Sequence, residues 1–416
     1  MHDLQKTKIE KITAAEILDS RSSPTILCRV KLASGACGCA EVPSGASTGR
    51  YEAHEKRDGG ARYGGKGVRE VCEKIETELS ELLRGKDAAN QRALDGMLIR
   101  ADGTPDKSRY GANALLAVSL ASARAAASAY GMPLYRYLGG ICGEKMPVPM
   151  MNVLGGGAHA HNNVEIQEFM LVPIGLKSFA DRVRACSEIY VCLGALLRKE
   201  GLCSAVSDEG GYSPSLSCDE DALKLLCRAI ECAGYGTDSV KLALDLAASE
   251  WAHGEKYRTA KSGEELSSAD IRERLRSLAK SYPIMSIEDP LGEDDTTGWK
   301  RITAEMGKEL MLVGDDLFAT DAHRIEVLAS DGCANAALIK PNQCGTLSET
   351  IAAVHSAKKA GLKTIISHRS GDTADSFIAD LAVAAGADFI KSGAPARGER
   401  VAKYNRLLEI EKDLAL

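Results

Sequence analysis

Six ionisable residues close short apolar runs in the second half of the chain. Asp245 ends VKLALD, Glu288 ends PIMSIE and Asp315 ends ELMLVGD, while Lys340, His368 and Lys391 end AALIK, TIISH and DFIK. From Glu288 onward the separations are 27, 25, 28 and 23 residues. Three carboxylates gathered at one place repel unless a cation lies between them. An all-oxygen ligand set suits Mg²⁺ or Mn²⁺ rather than zinc, which usually recruits His or Cys. A lysine beside such a site and a second lysine can be driven below its reference pKa of about 10.4 and act as a base, or can neutralise the acidic ring. A carboxylate-held metal with a lysine base suits removal of a proton next to a substrate carboxylate. Any one of these residues alone would read as a helix cap or a surface ion pair; six at corresponding positions would not.

The elements that must position them follow from the spacing. Each interval holds one strand and one helix, clearest in SETIAAVHSAKKAG, where Gly361 closes the helix between Lys340 and His368. Repeated strand–helix units imply a parallel sheet, and six within about 170 residues point to closure into a (β/α)8-type barrel, whose active site lies at the carboxyl ends of its strands. An open doubly wound sheet is the alternative, but no G-x-G-x-x-G follows a strand. Upstream, 9–18 and 25–42 read as strands, and 66–84, 88–99 and 111–130 as helices, which together describe a small α+β domain. The expected division is an α+β capping domain over 1–132 and a catalytic barrel over 133–416.

Bulk composition narrows the class. The net charge of −6 argues against a nucleic-acid binder, and 44% hydrophobic with 26% charged residues is ordinary for a globular protein. The 13 cysteines form no C-x-x-C pair and sit in apolar segments, so they read as buried thiols in a reducing compartment. The first 20 residues lack a signal-peptide apolar core, and no run reaches the length of a membrane span. The expected location is cytoplasmic.

Eight segments carry a resemblance. VPSGASTGRYEA (42–53), NNVEIQEFM (162–170), SDEGG (207–211), SIEDP (286–290), VGDDLFAT (313–320), LIKPNQCGTLSE (338–349), SHRSGDT (367–373) and IKSGAPARGER (390–400) resemble enolase segments in order and separation. The resemblance implies an enolase-type barrel behind a smaller α+β domain. It implies a lyase that interconverts 2-phosphoglycerate and phosphoenolpyruvate with two Mg²⁺ per site, the second dependent on substrate. By the same resemblance Asp245, Glu288 and Asp315 match the ligands of the first ion, and Ser47 matches a loop ligand of the second. Lys340 matches the base at C2, and Glu209, with Glu168 beside it, the acid at C3. His159 lies in a matching mobile loop, Arg369 and Ser370 look like phosphate binders, His368 and Lys391 like groups next to the substrate, and Gln167 like a polar contact. A homodimer or larger assembly, up to an octamer, is implied as well.

The chain also departs from the family. Ser22-Ser23 replaces a Gly-Asn pair, Gly155 the usual Asn, Ala158 a polar residue, Ser207 a Gly and Asp372 a Glu. None is a proposed proton donor, acceptor or metal ligand. Two other readings use the same scaffold: another enolase-superfamily enzyme acting on a different carboxylate, and a non-enzymatic binding or adhesion role.

Overall fold

The computed structural model describes residues 6–45, 49–254 and 256–415. Near the N-terminus three antiparallel strands, β1 (Ile9–Leu18), β2 (Pro24–Leu32) and β3 (Cys37–Glu41), form a sheet in sequence order. The single strand expected over 25–42 is therefore two. The alternation of buried Ile26, Cys28, Val30 and Leu32 resumes at Ala40 and Val42, which disguises the turn between them. Gly35, at φ +86°, makes that turn, and Leu32 N–H donates to the Ala36 carbonyl at 2.9 Å. Helices occupy Arg69–Leu83 (with a π-helical turn at Ile75–Leu79), Gln91–Asp102 and Ala112–Ala129. The last is almost wholly buried because its small side chains let it lie against β2 and β3.

The second body is a closed eight-stranded barrel. Its strands are β4 (Val148–Gly155), β5 (Glu168–Val172) and β6 (Lys241–Asp245), then β10 (Ile284–Glu288), β11 (Met311–Gly314), β12 (Ala336–Ile339), β13 (Lys363–Ser367) and β14 (Phe389–Lys391). Between β6 and β10 a three-stranded ribbon intervenes: β7 (Ala252–His253), β8 (Lys256–Arg258) and β9 (Glu265–Leu266). The wholly parallel sheet implied by the repeat is corrected at one strand. β5 runs antiparallel to both β4 and β6, and two helices, Phe179–Lys199 and Asp219–Cys232, connect it to β6. The repeat lies in segments after residue 240, where all the barrel strands run the same way, so it carries no information about β5.

Strand alternation explains where the charges point. Met150, Met170, Ala243, Val313, Leu338, Ile365 and Phe389 form the core inside the barrel. Two residues further toward the mouth on the same strand faces come Asn152, Glu168, Asp245, Asp315, Lys340, Ser367 and Lys391. The barrel thus seals its floor with apolar side chains and leaves its charges on top.

The two bodies are pinned together by buried polar contacts. Arg124 Nη2 donates to Asp375 Oδ1 at 2.7 Å, Lys107 Nζ to Glu349 Oε1 at 2.9 Å, and Ser348 N–H to Asp95 Oδ2 at 2.9 Å. Ser44 and Gly371 exchange backbone hydrogen bonds of 2.8 and 2.9 Å, which brings the end of the described 6–45 segment onto the barrel mouth. No helix among the described residues is long and apolar enough to cross a membrane.

Candidate active site

At the mouth the charged residues pair before any ligand arrives. Glu168, Asp245 and Glu288 lie abreast on β5, β6 and β10, each in register with the next. Because β5 is reversed, Glu168 reaches the mouth as the first residue of its strand, whereas Asp245 and Glu288 are the last of theirs. The Lys391 ammonium sits among all three, 3.0 Å from Asp245 Oδ2, 2.8 Å from Glu288 Oε2 and 3.3 Å from Glu168 Oε2. Next to them, Lys340 Nζ is paired with Asp315 Oδ2, and Gln343 Nε2 donates to Asp315 Oδ1 at 2.9 Å.

These pairings decide the protonation states. Burial alone would lower Lys340, but Asp315 overrides it and holds the ammonium above its ordinary value. Burial likewise opposes Lys391, and Asp245, Glu168 and Glu288 hold it well above. In this arrangement both lysines neutralise the acidic ring, one of the two roles the sequence leaves open to them. Burial and Asp245 push Glu288 well up, whereas Asp315 is held below its usual range by Lys340 despite burial.

A second group stands across the mouth. Glu168, Glu209 and His159 offer ligand atoms all within 4.8 Å of one another. His159 Nδ1 is 3.7 Å from Glu168 Oε1 and 3.8 Å from Glu209 Oε1. Burial, then Glu209, push Glu168 well above the usual carboxylate range. Burial would also raise Glu209, but His368 and His159 draw it well below. Its Oε2 accepts from Asn152 Nδ2 at 3.2 Å and lies 3.4 Å from His368 Nε2. The two carboxyls are thus driven apart, Glu168 upward and Glu209 downward. Arg400, fully buried, donates to His368 Nδ1 at 2.6 Å, so the neutral ring carries its hydrogen on Nε2, facing Glu209. Burial holds the imidazole down at about 4.

Arg369 is buried at the same mouth. Its Nη1 donates to Glu52 Oε2 at 2.8 Å and to Asn342 Oδ1 at 2.9 Å. Ser370 Oγ lies 3.4 Å from His159 Nε2, and Gln167 lines the same cavity. The structure thus brings together every site residue expected from the sequence except Ser47, which lies outside the described residues.

Sequence reasoning missed Glu52, Gln343, Asp289, Asp316, Asn152 and Arg400. All but Asn152 lie within the recognised motifs, but their neighbours drew the attention. Asp289 accepts from Asp315 N and Asp316 N, each at 2.9 Å, and so shapes the turn that presents Asp315. Asp316 does not cap the helix that follows: Asp321 caps Ala322–Ser330, and burial with Asp315 raises Asp316 to about 7.

Carboxylates crowded at the carboxyl ends of barrel strands, with ammonium groups holding the positive positions, are what a divalent-cation site needs. The model for the enolase N-terminal domain matches residues 9–138, and that for the enolase C-terminal TIM barrel domain matches 144–416. The chain belongs to the enolase family. Its oxygen donors fit a hard divalent ion: Asp245, Glu288 and Asp315 bring carboxylates to the ends of adjacent strands, and Asp289, Asp315 and Asp316 offer ligand atoms within 4.8 Å of one another.

Proposed function

We propose that the chain is a reversible hydro-lyase that dehydrates 2-phosphoglycerate to phosphoenolpyruvate, acting as a cytoplasmic homo-oligomer. The observation that carries this reading is an opposition across the mouth. In the ring order β10-β11-β12-β13-β14-β4-β5-β6, Lys340 follows β12 and Glu168 begins β5, four strands away and so diametrically opposite. A base on one side and a proton-sharing carboxyl pair on the other suit removal of a proton and a hydroxyl from adjacent carbons. Arg369 stands ready as the anion-binding group, since its guanidinium can exchange the Glu52 carboxylate for a phosphate in the same bidentate fork.

Asp245, Glu288 and Asp315 would hold the first Mg²⁺, with Ser47 serving a second. When bound, the ions supply positive charge against the substrate carboxylate as C2 becomes carbanionic. Lys340 must be neutral to accept the C2 proton, which requires the charge of Asp315 to be engaged elsewhere than on its ammonium. The C3 hydroxyl departs as water by taking the single proton shared by Glu168 and Glu209. His368, pinned as its Nε2–H tautomer, steadies the Glu209 carboxylate as that proton leaves. Gln167 and Ser370 bound the cavity on the side of His159.

The test is absorbance growth from phosphoenolpyruvate when purified protein meets 2-phosphoglycerate and Mg²⁺. Turnover should vanish with EDTA and return with excess Mg²⁺. Folded protein that shows none, or that ignores the chelator, would overturn the reading.

A further inference from the structure

A cavity of about 340 Å³ lies outside the mouth, between the helices Asp219–Cys232 and Ser268–Ser281 and the β7–β9 ribbon. Its body is apolar, formed by Ile166, Leu246, Trp251, Leu266 and Leu275, and its size is that of a small-molecule site. It shares a wall with the active site. Ile166 and Leu246 face the cavity, while their chain neighbours Gln167 and Asp245 face the mouth. Gln167 N–H donates to the Asp245 carbonyl at 3.0 Å, which ties the two walls together.

The polar lip sets the sign of the ligand. Glu165, Asp219 and Glu220 face a single cation, Arg274, which is already engaged by both oxygens of Glu264 at 2.8 and 3.0 Å. Glu165 is spent on the backbone N–H groups of Lys261 and Ser262, and Glu220 on the hydroxyl of Tyr282. Asp219 differs: both hydrogen bonds it accepts, from Glu165 N at 2.8 Å and Ile166 N at 3.4 Å, fall on Oδ1. Burial and the Glu165 charge raise its carboxyl above the usual range against the two N–H groups and the Arg274 charge, and its Oδ2 is a carboxylate oxygen of the lip left for a ligand.

We propose that this cavity is an effector site for a small organic ammonium with an apolar body, the cation on Asp219 and the hydrocarbon against Trp251 and Leu275. A cation there strengthens the carboxylate that holds residues 165 and 166, the end of the segment carrying His159. Lys261 anchors the same segment from the ribbon, donating to the Ala160 carbonyl at 3.1 Å, so it is gripped at both ends. Occupancy therefore stiffens the approach to the mouth without entering it.

Hexylammonium is the probe, with hexanol and hexanoate as comparisons of equal length. Of the two tryptophans, Trp251 lines the cavity and Trp299 is fully buried elsewhere, so fluorescence reports the site. Hexylammonium should give a saturable change at least tenfold tighter than either comparison, and should slow hydrogen exchange over 164–167. Asp219→Asn should erase the preference for the ammonium, and Leu275→Phe, which fills the cavity, should abolish binding of all three. No saturable change, hexanoate binding as tightly as hexylammonium, or unaltered exchange in the wild-type chain would overturn the proposal. None of these readouts depends on which substrate the mouth takes.

Discussion

Ser207 occupies the space that a side chain at Gly155 would need. A β-carbon added at Gly155 would stand 2.9 Å from Ser207 Oγ and 3.2 Å from its Cβ. Two departures from the family, a missing side chain at 155 and an added one at 207, are therefore one exchange of volume between neighbours. Gly155→Ala should destabilise the protein by about 1–3 kcal/mol, as overpacking does. Adding Ser207→Gly should recover most of that loss. A double-mutant cycle by urea denaturation measures the coupling, and strict additivity of the two changes would refute it.

The two proton transfers should fail separately. Lys340→Ala should lose both dehydration and exchange of the C2 hydrogen with D₂O. Glu209→Gln should lose dehydration by roughly 10²–10⁴-fold yet keep the exchange. Deuterium incorporation into 2-phosphoglycerate distinguishes them, and the opposite pattern would reverse the assignments.

The metal-free protein should weaken as pH rises from about 4 to 7. Asp316 is raised from 3.8 to about 7 by burial and Asp315, so over that window the folded state keeps a proton that the unfolded chain has released. The stability it contributes is complete below the lower value and gone above the upper one. Glu168, Glu288 and Asp289 are raised too and act with the same sign, together outweighing His368, which is held down at about 4 and acts with the opposite sign over the same window. Urea midpoints in EDTA at pH 5, 6 and 7 should fall, and Asp316→Asn should make the fall shallower.

Ser22 holds a backbone conformation that suits glycine, with φ +59°. The turn persists because Asp19 Oδ1 accepts from both Arg21 N and Ser23 N at 2.8 Å. Ser22→Gly should relieve left-handed strain and stabilise the fold by about 1 kcal/mol. Thermal denaturation checks it; a lowered Tm would mean the serine side chain matters more than the strain.

Metal binding should occur in two stages. On the proposed assignment Asp245, Glu288 and Asp315 should supply one site in the free protein, and Mg²⁺ favours carboxylates and phosphates for its remaining shell. Asp289, which stands with Asp315 and Asp316, accepts one backbone N–H on each oxygen and so shapes the turn that presents Asp315. Calorimetry should find one tight Mg²⁺ per chain alone and a second only with 2-phosphoglycerate or an inert analogue. Ser47→Ala should weaken the second and spare the first. Two equally tight ions without ligand would contradict this.

The strand ends were legible because period-two burial and a regular interval leave a trace in one dimension: Asp245, Asp315, Lys340 and Lys391 all continue the phase of the barrel interior. His368 breaks that phase by one residue and needs Arg400 to hold it, a contact 32 residues distant in sequence that no spacing reveals. The direction of β5 was equally hidden, since a strand that starts with its acid looks locally like one that ends with it. The lysine protonation states depended on the distances to carboxylates on other strands. The β2–β3 turn was missed because the alternation passes straight through it.

Reversing β5 changes the parity of the chain's traverses. A strand that ends at the barrel floor must be followed by two helical crossings before the next strand can start there, one rising and one descending. The turn between those crossings, residues 200–218, then falls on the catalytic side, and Glu209 rides on it. Had β5 run with its neighbours, a single crossing would have sufficed and no such turn would exist. The position of Glu209 beside Glu168 is thus a topological by-product of one inverted strand. Added length between Lys199 and Asp219 should accordingly disturb catalysis, while equal length at 173–178 or 233–240, on the far end, should spare it.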